Sequence, residues 1–114
     1  MYKDLNDLGE VVINEEAFKN YIKNILITPV GSVPSNRAFG SYLEKYLFEP
    51  YDFRTKKLIN MEIKRAISRW LKNVEIINIE NQMDVANGVL GVVVELRAKG
   101  IPSVTVNVEI PIKG

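Results

Sequence analysis

Between residues 15 and 27 apolar side chains return at every third or fourth place. Ala17, Phe18, Tyr21, Ile22, Ile25 and Leu26 then fall on one face of a helix. Asn14 is placed to cap it, and Glu15 and Glu16 sit in the first turn, where the helix dipole favours acids. Pro29 ends it near Thr28, because the residue before a proline is pushed out of the helical region. A second, shorter helix is predicted in SYLEKYLF, with Tyr42, Leu43, Tyr46 and Leu47 on its apolar side and Pro50 closing it. The third is predicted from an N-cap at Thr55 to about Asn73. It carries Ile59, Ile63, Ala66, Ile67 and Trp70 on one face and Lys56, Lys57, Lys64 and Arg65 mostly on the other.

From Val74 the period changes to two. VEIINI alternates imperfectly, GVLGVVVELRA is rich in β-branched residues, and SVTVNVEIPI places Val104, Val106, Val108, Ile110 and Ile112 on one face. Asn87-Gly88 and Lys99-Gly100 are hairpin signals between these runs. The expected fold class is therefore α+β: three helices packed on one face of a small, mainly antiparallel sheet with a C-terminal three-stranded meander. Residues 1–114 read as one domain, with 1–14 as an extended arm or an edge strand through EVVI. Two placements stay open for the last strand: an edge of the sheet, or an interior position covered by EVVI.

The segment TPVGSVPSNRAFG interrupts the pattern between the first two helices. Gly31 and Pro34 break regular structure, Gly40 allows a turn that a Cβ would resist, and Phe39 is placed to plug back into the core. Irregular passages of this length are often functional.

Composition narrows the chemistry. The chain has 114 residues, 46% hydrophobic, and its fifteen Lys and Arg against fourteen Asp and Glu leave a formal +1, so overall charge points to no nucleic-acid partner. Without cysteine or histidine there are no disulfides, thiolate nucleophiles, imidazole bases or Cys/His metal sites. No apolar run is long enough to span a bilayer, and MYKDLNDLGE lacks the features of a signal peptide, so a soluble product without a membrane partner is expected. Glu44, Glu49 and Asp52 are the carboxylates that a glycosidase-like pair could draw on, but they read as solvated acids on a helix flank. GSVPSNRAFG lacks the glycines and lysine of a phosphate cradle, and Lys56, Lys57, Lys64 and Arg65 read as a solvated helix face. No catalytic, cofactor-binding or metal-binding residue is assigned.

One pattern goes beyond composition. Thr28, Gly31, Ser32, Pro34, Phe39, Gly40, Leu43, Leu47, Phe48 and Glu49, followed by a long helix with an aromatic residue near its end and Val74 beyond, keep an order and spacing. This order resembles the phage baseplate wedge family, which includes the phage W protein and the T-even wedge protein that initiates the tail sheath. The resemblance spans most of the chain. Many members carry Glu-Pro-Arg after the aromatic residue, whereas Leu71, Lys72 and Asn73 follow Trp70 here.

What the resemblance implies is a non-enzymatic wedge component of a contractile tail or related injection machine, assembled in the bacterial cytoplasm and located in the baseplate. It would act as the platform on which the sheath starts. Its implied partners are other wedge proteins and the tail sheath protein, with tail tube or hub proteins as further candidates. Some members have been labelled lysozyme-like, which keeps a cell-wall hydrolase as the alternative; a generic adaptor is a third. The interface residues expected on this reading are Arg37 and Phe39 in the irregular segment, Leu71, Lys72 and Asn73 after the long helix, and the terminal strand through Val104, Thr105, Val106, Asn107, Val108, Glu109 and Ile110. That strand would accept sheath strands by β-augmentation.

Overall fold

The apolar stripe near the start does form a helix. In the computed structural model, which describes residues 15–98 and 102–112, α1 (Glu15–Ile27) buries Phe18, Tyr21, Ile22, Ile25 and Leu26. The Asn14 cap, EVVI, the arm over 1–14 and the Lys99-Gly100 turn lie outside the described residues. The second helix, α2 (Phe53–Trp70), buries Ile59, Ile63, Ala66 and Ile67. Its N-cap is Asp52 and not Thr55: the Asp52 carboxylate accepts the Thr55 N–H at 2.9 Å, and Thr55 is itself buried in the first turn. The helix stops at Trp70, three residues short of Asn73, and Asn73 turns the chain with a φ of 61°. Asparagine tolerates that left-handed geometry better than most residues.

The expected layer of three helices is overturned: the described residues contain two α-helices and a three-stranded antiparallel sheet. SYLEKYLF makes only a four-residue 3-10 turn, Leu43–Tyr46. Its hydrogen bonds skip three residues, Leu47 N–H to Glu44 O and Glu49 N–H to Tyr46 O, instead of four. Both ends of this short run are fixed from outside. Ser41 is tied back to the end of α1, its N–H on Thr28 O and its Oγ on Leu26 O, both at 2.9 Å, while Pro50 bars continuation. Of the four expected core residues Leu43 and Leu47 are buried and Tyr46 is partly so, whereas Tyr42 is 48% exposed, because a 3-10 turn does not keep the helical spacing on one face.

The strands are β1 (Val74–Asp84), β2 (Val89–Ala98) and β3 (Val104–Pro111), in the spatial order β1-β2-β3. One face is covered by the helices: Leu90, Val92, Val94, Leu96 and Ala98 of β2 and Val104, Val106, Val108 and Ile110 of β3 are all buried there. Each such aliphatic side chain contributes about 1.5–3 kcal/mol when fully withdrawn from water. The register pairs Val92 with Val108 and Val94 with Val106, and a bulge at Ile77 shifts β1 between Ile76 and Asn78. The opposite face is open to solvent.

β1 runs five residues past VEIINI, and Asn81 occupies an inward place opposite Val92. This buried amide is satisfied. Its Nδ2 donates to Asn60 Oδ1 at 2.7 Å and to Lys56 O at 3.1 Å, joining the sheet to α2.

Candidate functional site

A three-stranded sheet has two edges, and this one treats them differently. At β1, Tyr51 shares its single hydroxyl proton between the Asn81 carbonyl oxygen (2.9 Å) and Asn81 Oδ1 (2.5 Å), and α2 packs alongside. Burial pushes the Tyr51 hydroxyl above the ordinary tyrosine pKa, so it stays a donor well into the alkaline range.

At β3 the edge is open among the described residues. Ile112 donates its N–H to Gly88 O at 2.8 Å, so by the two-residue period the even-numbered residues of β3 turn their N–H and C=O groups toward β2. The N–H groups of Thr105, Asn107 and Glu109 therefore point away from the sheet. None of the three finds an acceptor among the described residues. Pro111, next in that outward series, has no N–H to leave unpaired, which is why a proline is tolerated at this place.

Beside this edge lies a groove of about 240 Å³ lined by Leu26, Ile27, Pro29, Leu43, Leu47 and Ile110. Ile27 is 46% exposed along it. The irregular segment shapes the wall: Pro29 and Ser41 form an isolated bridge, with Val30 N–H on Ser41 O at 3.1 Å. Gly40 makes the approach possible, since at its φ of 119° a Cβ would lie 2.1 Å from Thr28 O. A second tether holds Tyr42, whose N–H donates to Glu62 Oε2 at 2.7 Å. Glu62 is only 7% exposed, and the Arg65 guanidinium grips it through Nε (2.8 Å) and Nη2 (2.6 Å), so its buried charge is both paired and hydrogen-bonded. That contact with Glu62 raises the Arg65 pKa further.

The other expected interface residues go elsewhere. Phe39 is half-buried, stacked on Tyr21 at 6.3 Å and edge-on to Trp70 at 5.2 Å, as a plug for the core. Arg37 is exposed, and its carbonyl accepts the Gly31 N–H at 2.9 Å. Leu71 packs partly against the core, while Lys72 and Asn73 are exposed. Phe39 thus lies near the start of the 71–73 triplet through Trp70, but neither borders the groove beside β3. Val104, Val106, Val108 and Ile110 face the core, leaving Thr105, Asn107, Glu109 and Pro111 as the accessible side chains of the strand.

The three carboxylates do not converge. Glu44 borders the β3 groove, whereas Glu49 and Asp52 border a separate depression. Asp52 is exposed, and the Thr55 N–H lowers its pKa below the usual value, opposite to the direction a general acid needs. Among the described residues no group of His, Cys, Asp or Glu is arranged to hold a metal ion, and no helix is long and apolar enough to cross a membrane.

Glu62 and Asn81 are the structural anchors that the sequence reading missed. Each left a faint signal: Glu62 stands on the buried side of α2 three residues before an arginine, and Asn81 continues the alternation of Ile79 and Met83 with a polar residue in an apolar place.

No family model matches this chain, and no curated protein matches it. Among solved structures, it is similar to the crystal structure of a candidate tail lysozyme from Geobacter sulfurreducens, with a TM-score of 0.79 and 23% identity over 91% of this chain and 97% of that one. The two share a fold.

Proposed function

We propose that this protein is a structural component of the baseplate of a contractile tail or related injection machine, and that it is the platform on which the sheath starts. Sheath subunits would add strands to β3, while other wedge proteins, and tail tube or hub proteins further in, would meet the remaining surfaces. The observation that carries this reading is the pair of unequal edges. The outward N–H groups of Thr105, Asn107 and Glu109 lie open beside an apolar groove, whereas β1 is engaged by Tyr51. The motif order from Thr28 to Glu49 and the fold shared with a protein named a tail lysozyme support the setting.

That neighbour's name also favours a second reading, a cell-wall hydrolase. Glu49 and Asp52 border one depression, but the lowered pKa of Asp52 makes it a poor general acid and Glu44 lies at a different groove, which weighs against it. Proline at Asn107 separates the two. The substitution removes an outward N–H and spares the β2–β3 ladder, so it should block sheath nucleation while the folded protein still enters the wedge. Normal sheaths on a folded Asn107→Pro protein would sink the platform reading. Peptidoglycan release that is lost on Glu44→Gln or Glu49→Gln, with the fold intact, would establish the hydrolase instead.

A further inference from the structure

We infer that the open face beside β3 selects the chemistry of the strand that joins it: a short segment with apolar residues facing the helices and lysine or arginine facing solvent. The inference rests on the strand-addition reading and goes beyond it by specifying the partner. Its basis is the distribution of charge. On the solvent face of the sheet, Glu80, Glu95 and Glu109 form no ion pair among the described residues, and Arg97, the one cation of that face among the described residues, is taken by Glu75. Among the described residues the face toward β3 therefore carries unpaired acids, with Lys56 bordering the same depression as Glu80 and Glu109 but in an ion pair with neither.

Distance decides which acids an incoming strand feels. Glu109 lies on β3 itself, about 5 Å from a residue placed opposite it. Glu95 pairs with Thr105 one strand further in, roughly 10 Å away. Glu80 is another strand beyond, so both acids lie past a Debye length of about 8 Å at physiological salt and count for little. Glu109 thus sets the preference. A cross-strand cation opposite Glu109 is expected to improve affinity by about two- to fivefold, and a like charge to weaken it comparably.

The same charge pattern makes a second copy the poorer partner. If two copies paired β3 to β3 about Asn107, Glu109 of each would stand opposite Thr105 of the other and one strand from its Glu95. That arrangement leaves each Glu109 opposite a neutral threonine, so self-pairing lacks the charge match that a basic strand offers. Length and apolar pattern follow from the backbone. The outward donors span Thr105 to Glu109 and end before Pro111, which fits a segment of about five to seven residues, and the groove by Ile27 and Ile110 accepts an inward apolar side chain near one end.

The experiment is an NMR titration of the whole chain with seven-residue peptides of alternating pattern. Their inward residues are Val, Ile or Leu, and their outward residues are Lys in one peptide, Thr in a second and Glu in a third. The expected result is binding in the order Lys, Thr, Glu, with about threefold or more between the first and last, a gap that narrows as salt is raised, and reversal of the order by Glu109→Lys. Equal binding of all three, abolished by Asn107→Pro, would leave strand addition standing and overturn the charge preference. Binding of the lysine peptide that survives Asn107→Pro would place it elsewhere and overturn the inference. No shift at Thr105, Asn107 or Glu109 with any peptide would overturn both the preference and the strand-addition reading.

Discussion

Gly40 carries the sharpest single-residue constraint in the molecule, because its φ of 119° and the carbonyl of Thr28 together leave no room for a Cβ. Gly40→Ala should therefore cost more than about 1 kcal/mol and displace the bridge between Pro29 and Ser41. Gly31→Ala, at a φ of 93° but in open space, should cost less; equal losses of thermal stability would mean that the close approach is unimportant. Trp70 shows a different economy. Its ring leans on Phe39, but its Nε1 is buried without a hydrogen-bond partner among the described residues. Trp70→Ala should cost less than the roughly 3–5 kcal/mol of a fully buried ring, and Trp70→Phe should be near neutral because it removes the unpaired donor. Denaturant midpoints of the two variants check this pair. Asp52 makes the pH prediction. Its folded pKa lies below the unfolded value because the Thr55 N–H, above all, favours the carboxylate. The stability it contributes is fully present above the unfolded pKa and is lost as pH falls through the folded one. Asp52→Asn keeps a good cap without the charge, so acid unfolding curves should show a shallower loss of stability below the usual aspartate range than in the parent protein.

Two elements show where reading a sequence succeeds and where it stops. The stripes at Phe18–Leu26 and Ile59–Ile67 became helices because nothing outside them competes with the local pattern. In SYLEKYLF the spacing is as helical, yet Ser41 and Tyr42 are held by Leu26, Thr28 and Glu62, distant contacts that no window of sequence contains. Tertiary tethers outweigh a helical propensity worth only tenths of a kcal/mol per residue. In the strands the period of two identified the inward face of β3, but not that of β2, whose continuous β-branched run hides the alternation, nor the length of β1, since Asn81 hides a buried place behind a polar residue. The edge at β3 depends on parity. Proline at Asn107 should leave the fold intact, whereas proline at Val106, whose N–H points to β2, should break the ladder. Circular dichroism and thermal unfolding of both variants decide it, and a fold equally tolerant of both would refute the assigned parity.

At the scale of the assembled chain, α1 and α2 cover one face of the sheet and leave the other open, with charge following the same division. α2 carries Arg54, Lys57, Lys64 and Arg69 on its exposed side, while the open face of the sheet carries the unpaired acids. A net charge of +1 conceals this separation, which is why composition alone pointed to no partner. The candidate site was legible only in part. Alternation in SVTVNVEIPI placed Thr105, Asn107 and Glu109 outward, but the groove draws Leu26, Leu47 and Ile110 from three distant stretches and could not be read from any of them. Arg37, Phe39 and the 71–73 triplet, chosen through resemblance, lie away from that groove. The decisive test follows the backbone of β3 itself: amide hydrogen exchange at Thr105, Asn107 and Glu109, with and without a tail sheath subunit. Strand addition requires all three amides to exchange freely in the isolated protein and to become protected when the sheath subunit binds. Binding that leaves the three as unprotected as before would contradict it.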